Sequence, residues 1–236
     1  HLRRFYRSAK KIDIDIPMPF EELRAMVLDF CRKIDSPDAM AYVQATRGVG
    51  MRGHAYRFAG GTPSLWVWVK PDILDPMDRS YKAITMEDTR YFHCDIKTIN
   101  LLPAVIYTQR AEEAGCDETI LHRGDRVTEC AHSNVHILKD GALKTAPCDN
   151  LILPGITRAH RIAQCREMGI PVIEEPFTVR EMMEADEVFF TSASALCCRI
   201  EEIDGQKVGG RAPELIARIQ KAAWDEALAE VRQING

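Results

Sequence analysis

Several absences narrow what this 236-residue chain can be. No apolar run approaches the ~20 residues a helix needs to span a bilayer, so a transmembrane helix is excluded. The eight cysteines (Cys31, Cys94, Cys116, Cys130, Cys148, Cys165, Cys197 and Cys198) contain no C-x-x-C pair, and no signal peptide precedes them. A disulfide scaffold and a common zinc site are both argued against, no metal is expected, and reduced thiols in a cytoplasm are. Neither sign of charge is in large excess: Lys plus Arg is 31, Asp plus Glu is 35, and the net charge is −4. That balance provides no field for nucleic acid or an anionic membrane, which leaves small molecules as the expected partners. There is no internal repeat and no low-complexity tract.

Ordinary globular composition is what remains, 46% hydrophobic and 28% charged, in a chain long enough to bury a substantial core. The first residue is His1 and helical periodicity starts at once, with Leu2, Phe5, Tyr6 and Ala9 forming an apolar stripe among basic residues. A truncated N-terminus is the expectation. A second helix is read from Phe20, Leu23, Met26, Val27, Phe30 and Cys31, with Glu21 and Glu22 in its first turn. Ala41–Arg47 and Leu65–Val69 read as strands around a glycine-punctuated loop, Gly48–Gly61, with Trp66 and Trp68 as strand core. Pro71 and Pro76 among aspartates mark a linker in Lys70–Ser80, which divides the chain into a small domain, 1–75, and a larger one, 76–236.

Beyond the linker, strands are read at Ala83–Glu87, Glu118–His122, Arg126–Thr128, Asn134–Leu138 and Val188–Thr191, and Lys139-Asp140-Gly141 favours a hairpin. Helices are read at Leu101–Ala114, at Ile156–Met168, after the Thr178–Glu181 capping box, and from Pro213 to about Val231. The fold class is therefore α+β with hairpins, not a regular βαβ array.

Four groups of residues can carry chemistry. Lys97, between a strand-like run and a helix, can serve as a Schiff-base nucleophile, although position alone favours a solvated lysine. Glu129 precedes the polar run Cys130-Ala131-His132-Ser133-Asn134 and can pair with a protonated ring nitrogen, act as a base, or accept N–H groups in a turn. Pro154-Gly155-Ile156-Thr157 opens a helix and offers a phosphate cradle or an ordinary helix start, with Thr191-Ser192-Ala193-Ser194 as a second hydroxyl-rich strand end. Arg52 and His54 would face the same side of an extended segment, able to clamp a carboxylate or simply to sit solvated in a loop.

The order of these segments resembles the class IV, or fold type IV, pyridoxal-phosphate aminotransferases over essentially the whole chain. Asp95–Leu102, Val127–Glu129 with Ser133–Val135, Asn150–Arg158 and the Thr191-Ser192 strand end carry the resemblance. It implies a small α/β domain, truncated at its start, and a larger β-barrel-like α/β domain, in a likeness nearest to the D-amino-acid branch of the class. Lys97 would form the Schiff base with pyridoxal phosphate and shuttle the proton, and Glu129 would keep the pyridine nitrogen protonated. Arg4, Ile156, Thr157, Ser192 and Ala193 would hold the phosphate, with Leu153 against the ring. Arg47–His54 is similar to an R-x-H carboxylate trap built on Arg52 and His54, and His132 and Ser133 would also lie near substrate. A ping-pong transfer from a D-amino acid to a 2-oxo acid, in a homodimer, is thereby implied. Branched-chain aminotransferase, aminodeoxychorismate lyase and an inactive cofactor-binding remnant are the alternatives. Two departures stand out: Ala193 where the D-specific enzymes carry a threonine, and Cys130-Ala131-His132 in place of a glycine-serine run.

Overall fold

A computed structural model describes residues 1–36, 38–58 and 61–235, the last four of these by backbone alone. Ala59 and Gly60, two residues of the expected Gly48–Gly61 loop, lie outside the described residues. The chain divides into two compact units, His1–Ile73 with Ile96–Thr98, and Leu74–Asp95 with Ile99–Gly236.

In the first unit, α1 (Leu2–Lys11) and α2 (Phe20–Arg32) accompany a two-stranded antiparallel sheet, β1 (Ala39–Thr46) and β2 (Ser64–Pro71). The periodicity of α1 predicts an apolar buried stripe, yet the helix buries Arg4 and Ser8 beside Ala9. Ser8 has a polar task that explains this, because its Oγ accepts the N–H of Lys97 at 3.2 Å. Trp66 and Trp68 are not strand core. They share the open face of β2 and are 64% and 42% exposed, with Tyr42 stacked on Trp68 at 5.1 Å. A two-stranded sheet covers one face only, so one of the two alternating side-chain sets stays open.

The second unit is built on a nine-stranded mixed sheet. Its elements in chain order are β3 (Tyr81–Glu87), α3 (Leu102–Glu113), β4 (Glu118–Arg123), β5 (Arg126–Cys130), β6 (Asn134–Lys139) and β7 (Ala142–Thr145). They continue with α4 (Ile156–Glu167), β8 (Val172–Glu174), α5 (Val179–Met183), β9 (Glu187–Thr191), β10 (Cys198–Ile203), β11 (Gln206–Lys207) and α6 (Pro213–Asn235). The strand order is β5-β4-β3-β10-β9-β6-β7-β8, with β11 on β10. β9 is buried along its whole length, as its continuous apolar reading requires of a central strand. The β6–β7 hairpin turns at Asp140 and Gly141, both at positive φ, and Thr178 and Glu181 make the reciprocal capping box that their spacing predicts.

The core of this unit lies on both faces of the sheet. One cluster is centred on Ile120, Val135, Ile137, Val188, Phe190 and Ile200, and a second joins Leu138, Leu143 and Phe189 to α4 and α6 through Ile162, Ile216 and Ile219. Cys130, Cys165, Cys197 and Cys198 are buried within these clusters as thiols. The parallel pairing of β3 with β4 demands a crossover, which α3 supplies, and Lys97 lies in the irregular stretch between β3 and α3.

Candidate active site

Glu129 sits near the end of β5 with 5% of its surface exposed. Its Oε1 accepts Arg90 Nη1 at 2.5 Å, and its Oε2 accepts Asn134 Nδ2 at 2.8 Å and the Leu153 N–H at 3.0 Å. Burial pushes its carboxyl up to about 7, against the pull of Arg90. Arg90 also forms a two-pronged pair with Asp88 (Nε to Oδ1 and Nη2 to Oδ2, both 2.9 Å) and donates to the Leu151 carbonyl. Burial alone would raise the Asp88 carboxyl, but the Arg90 hydrogen bonds and charge hold it below the usual range. One guanidinium thus fixes the end of β3, the end of β5 and the chain leading to α4.

Asn134 carries the same order into α4. It is 5% exposed, donates to the Leu153 carbonyl at 3.0 Å, and lies so near Gly155 that a Cβ there would come within 2.0 Å of its Oδ1. Gly155 is the N-cap of α4 and no side chain caps the helix, so the first-turn N–H groups have neither an intrahelical acceptor nor a capping side chain. The Thr157 hydroxyl donates to the Ser192 carbonyl at 2.6 Å, joining this helix start to the end of β9. Ser192 Oγ accepts the N–H groups of Ser194 and Ala195 at 3.2 and 3.0 Å, which folds the loop on itself. Ala193 is exposed at its tip, and Ser194 Oγ donates to Asp75 at 2.7 Å. The structure therefore brings together Glu129, Leu153, Ile156, Thr157 and Ser192.

His132 and Ser133 lie at the turn between β5 and β6 and converge on Glu118. Ser133 Oγ donates to Glu118 Oε2 at 2.7 Å, and His132 Nδ1 is 3.6 Å from the same oxygen.

In the first unit, Lys97 is exposed and its N–H is held by Ser8, while Arg4 is buried one helical turn before that serine. The segment carrying Arg52 and His54 is bent and ends in a 3₁₀ turn, Tyr56–Phe58, instead of running extended. His54 lines a recess of about 250 Å³ with Arg47, Met51, Tyr56 and Phe58, and Arg52 stands outside that lining. Arg47 anchors the loop, donating to the Ile12 and Asp13 carbonyls and lying 3.5 Å over the Tyr56 ring.

A family model for amino-transferase class IV matches residues 1–203. The chain belongs to the class IV aminotransferases. It is 38% identical over 98% of its length to a D-alanine aminotransferase of Bacillus licheniformis, covering 82% of that protein. A D-alanine aminotransferase of Listeria monocytogenes is 40% identical over 90% of the chain, with 76% of that protein covered. Among solved structures, the branched-chain amino acid aminotransferase of Escherichia coli superposes with a TM-score of 0.84 at 26% identity, over 95% of this chain and 77% of that one.

Class IV aminotransferases are pyridoxal-phosphate enzymes, and the residues present fit that cofactor. A twelve-residue helix with no side-chain cap offers its first-turn N–H groups to a phosphate. Glu129 uses three of its roughly four acceptor positions, leaving Oε1 able to accept one more donor. A cationic ring nitrogen there would return its raised carboxyl toward the ionised form. Sequence reasoning missed Arg90, Asp88, Glu118 and Ser8. A local signal existed for the first two, since Glu87-Asp88-Thr89-Arg90 is an acid-base cluster at a strand end. Among the described residues, His160, Glu226 and Glu230 form a group of potential metal ligands, but Glu226 is already engaged by Arg161 and His160.

Proposed function

We propose that this class IV aminotransferase transfers the amino group of a D-amino acid to a 2-oxo acid by a ping-pong cycle. The observation that carries the reading is the 38% identity over nearly the whole chain to a D-alanine aminotransferase. Bound pyridoxal phosphate supplies an electron sink for the charge left at the substrate Cα. Glu129 holds the proton on the ring nitrogen, supported by its burial and by the free acceptor position on Oε1. The N–H groups of Ile156 and Thr157, Ser192, the Ala193 backbone and Arg4 would hold the phosphate, and Leu153 would pack on the ring. Lys97 would hold the cofactor through its Nζ until the substrate amine displaces it, and the freed amine would then carry the proton from the substrate Cα to the cofactor. Arg52 and His54 receive the substrate carboxylate, with the arginine supplying a two-pronged fork.

The active species is a homodimer. Leu101, Leu102, Val105 and Ile106 at the start of α3 are 53%, 73%, 61% and 45% exposed, an apolar face suited to a second subunit. A cytoplasmic location is in keeping with eight unpaired thiols and no helix among the described residues long and apolar enough to cross a membrane.

The likeness to the branched-chain enzyme supports one second reading, in which the donor is an L-amino acid with a branched side chain. The visible absorption band of the holoenzyme decides between the two when D-alanine and, separately, L-leucine are added. Loss of the band with D-alanine alone supports the proposal; loss with L-leucine alone replaces it. Lys97→Ala should abolish turnover, and substantial activity in that variant would overturn the role given to the lysine.

A further inference from the structure

Glu118, the first residue of β4, is 2% exposed, and the reaction as read above does not use it. Its Oε1 accepts the Thr119 N–H at 2.9 Å and, more weakly, the Ala131 N–H at 3.3 Å, which also bonds the Thr119 carbonyl at 2.9 Å. Its Oε2 accepts the Ser133 hydroxyl at 2.7 Å and lies 3.6 Å from His132 Nδ1. Three consecutive residues of the β5–β6 turn, Ala131, His132 and Ser133, are therefore gathered on one buried carboxylate from a neighbouring strand. The backbone closes the same turn through Cys130 N–H and the Ser133 carbonyl at 2.8 Å.

The ends of this turn matter. On one side stands Glu129, and on the other Asn134, which bonds Glu129 and the Leu153 carbonyl and abuts the Gly155 backbone. No slack exists at Gly155, so a displaced turn would move Asn134 against the start of α4 and pull on the Glu129 carboxylate. A charged acceptor holding several donors makes the stronger kind of hydrogen bond, and burial makes its loss costly.

We propose that Glu118 is a positioning residue for Glu129 and for the start of α4, and that His132 and Ser133 work through it and not on the substrate. The proposal rests on the reading of Glu129 as the partner of the ring nitrogen. Glu118→Ala, Glu118→Gln, Ser133→Ala and, as a control, Glu129→Gln would be compared in the holoenzyme and the cofactor-free protein. The readouts are the pH titration of the visible band, cofactor affinity, melting temperature, and hydrogen exchange at residues 130–134.

Glu118→Ala should weaken cofactor binding about tenfold, the loss of one buried charged acceptor. It should also shift the titration midpoint and speed exchange across the turn. Glu118→Gln, which keeps an acceptor and can donate to Ser133, should restore most of each value. Ser133→Ala should shift the midpoint in the same direction by less, which keeps the proposal testable if Glu118→Ala does not fold. A lowered melting temperature with unchanged midpoint, affinity and exchange would make Glu118 a residue of the sheet alone and overturn the proposal. If Glu129→Gln leaves the band unmoved, the reading of Glu129 fails instead, and unchanged exchange in the cofactor-free Glu118→Ala protein would then overturn the clasp itself.

Discussion

Replacing Glu129 by glutamine in the cofactor-free protein should change how stability depends on pH. An ordinary glutamate titrates near 4.5 and this one near 7, because burial outweighs the attraction of Arg90. Between those two values the native state holds a proton that the unfolded chain has released, so stability falls as pH rises from 4.5 to 7 and is level above. The gap between the two values corresponds to about 3 kcal/mol. Glutamine cannot titrate. It also puts an amide where the carboxyl accepts Arg90, Asn134 and the Leu153 N–H, a roughly constant difference over this range, since Arg90 stays protonated and keeps Asp88. Urea unfolding of both proteins from pH 4.5 to 8 isolates the effect as a difference curve in which titrations common to both cancel. The advantage of wild type over Glu129→Gln should shrink by about 3 kcal/mol across that span, most of it between pH 5 and 7. A flat difference would mean that Arg90 keeps the carboxylate ionised throughout, and the account of this buried pair would be wrong.

Two other substitutions probe the surroundings. Gly155→Ala places a Cβ within 2.0 Å of Asn134 Oδ1. The displaced amide gives up its bonds to Glu129 and Leu153, so unfolding should cost about 1–3 kcal/mol less and cofactor titration should show weaker binding. Unchanged stability there would show that Asn134 has room the structure denies it. His136 is fully buried, stacked on Phe189 at 4.7 Å and bonded to Thr191 at 2.9 Å, and burial pushes its ring down to about 3. Its stabilising neutral form is complete above the ordinary 6.5 and is lost as pH falls. His136→Gln should therefore gain on wild type by about 2 kcal/mol between pH 7 and pH 5, measured by denaturant unfolding. No relative gain would place a proton on that ring in the native state.

Much of this molecule was legible in its sequence because the signals were local. The Thr178 capping box, the turn at Asp140-Gly141 and the helix after Gly155 each depend on residues within a few positions of one another. The same holds for Glu129, whose neighbours in sequence include Asn134. Arg90 was invisible as a partner because the 39 positions between it and Glu129 are bridged only when β3 and β5 flank β4. Glu118 meets Ser133 for the same reason. The helical periodicity of residues 2–9 predicted α1 correctly but not its buried face, because Ser8 is buried for a hydrogen bond and not for apolar contact. Trp66 and Trp68 misled the reading because aromatic alternation announces a strand without saying whether anything covers it.

The position of β3 between β4 and β10 has a consequence for how the chain reaches its native state. Its partners on the two sides are parallel strands about 35 and 120 residues later in the chain. On the ribosome β3 can join β4 early, but its other edge stays unpaired until β10 has emerged. The Thr85 contacts to Asp204 wait equally long, since the carboxylate that takes its N–H and hydroxyl at 2.8 and 2.6 Å belongs to the turn after β10. Synthesis that stalls before residue 198 leaves an open strand edge in the middle of the future sheet. An edge of that kind is a template for pairing with another chain, so truncated forms should be the aggregating species.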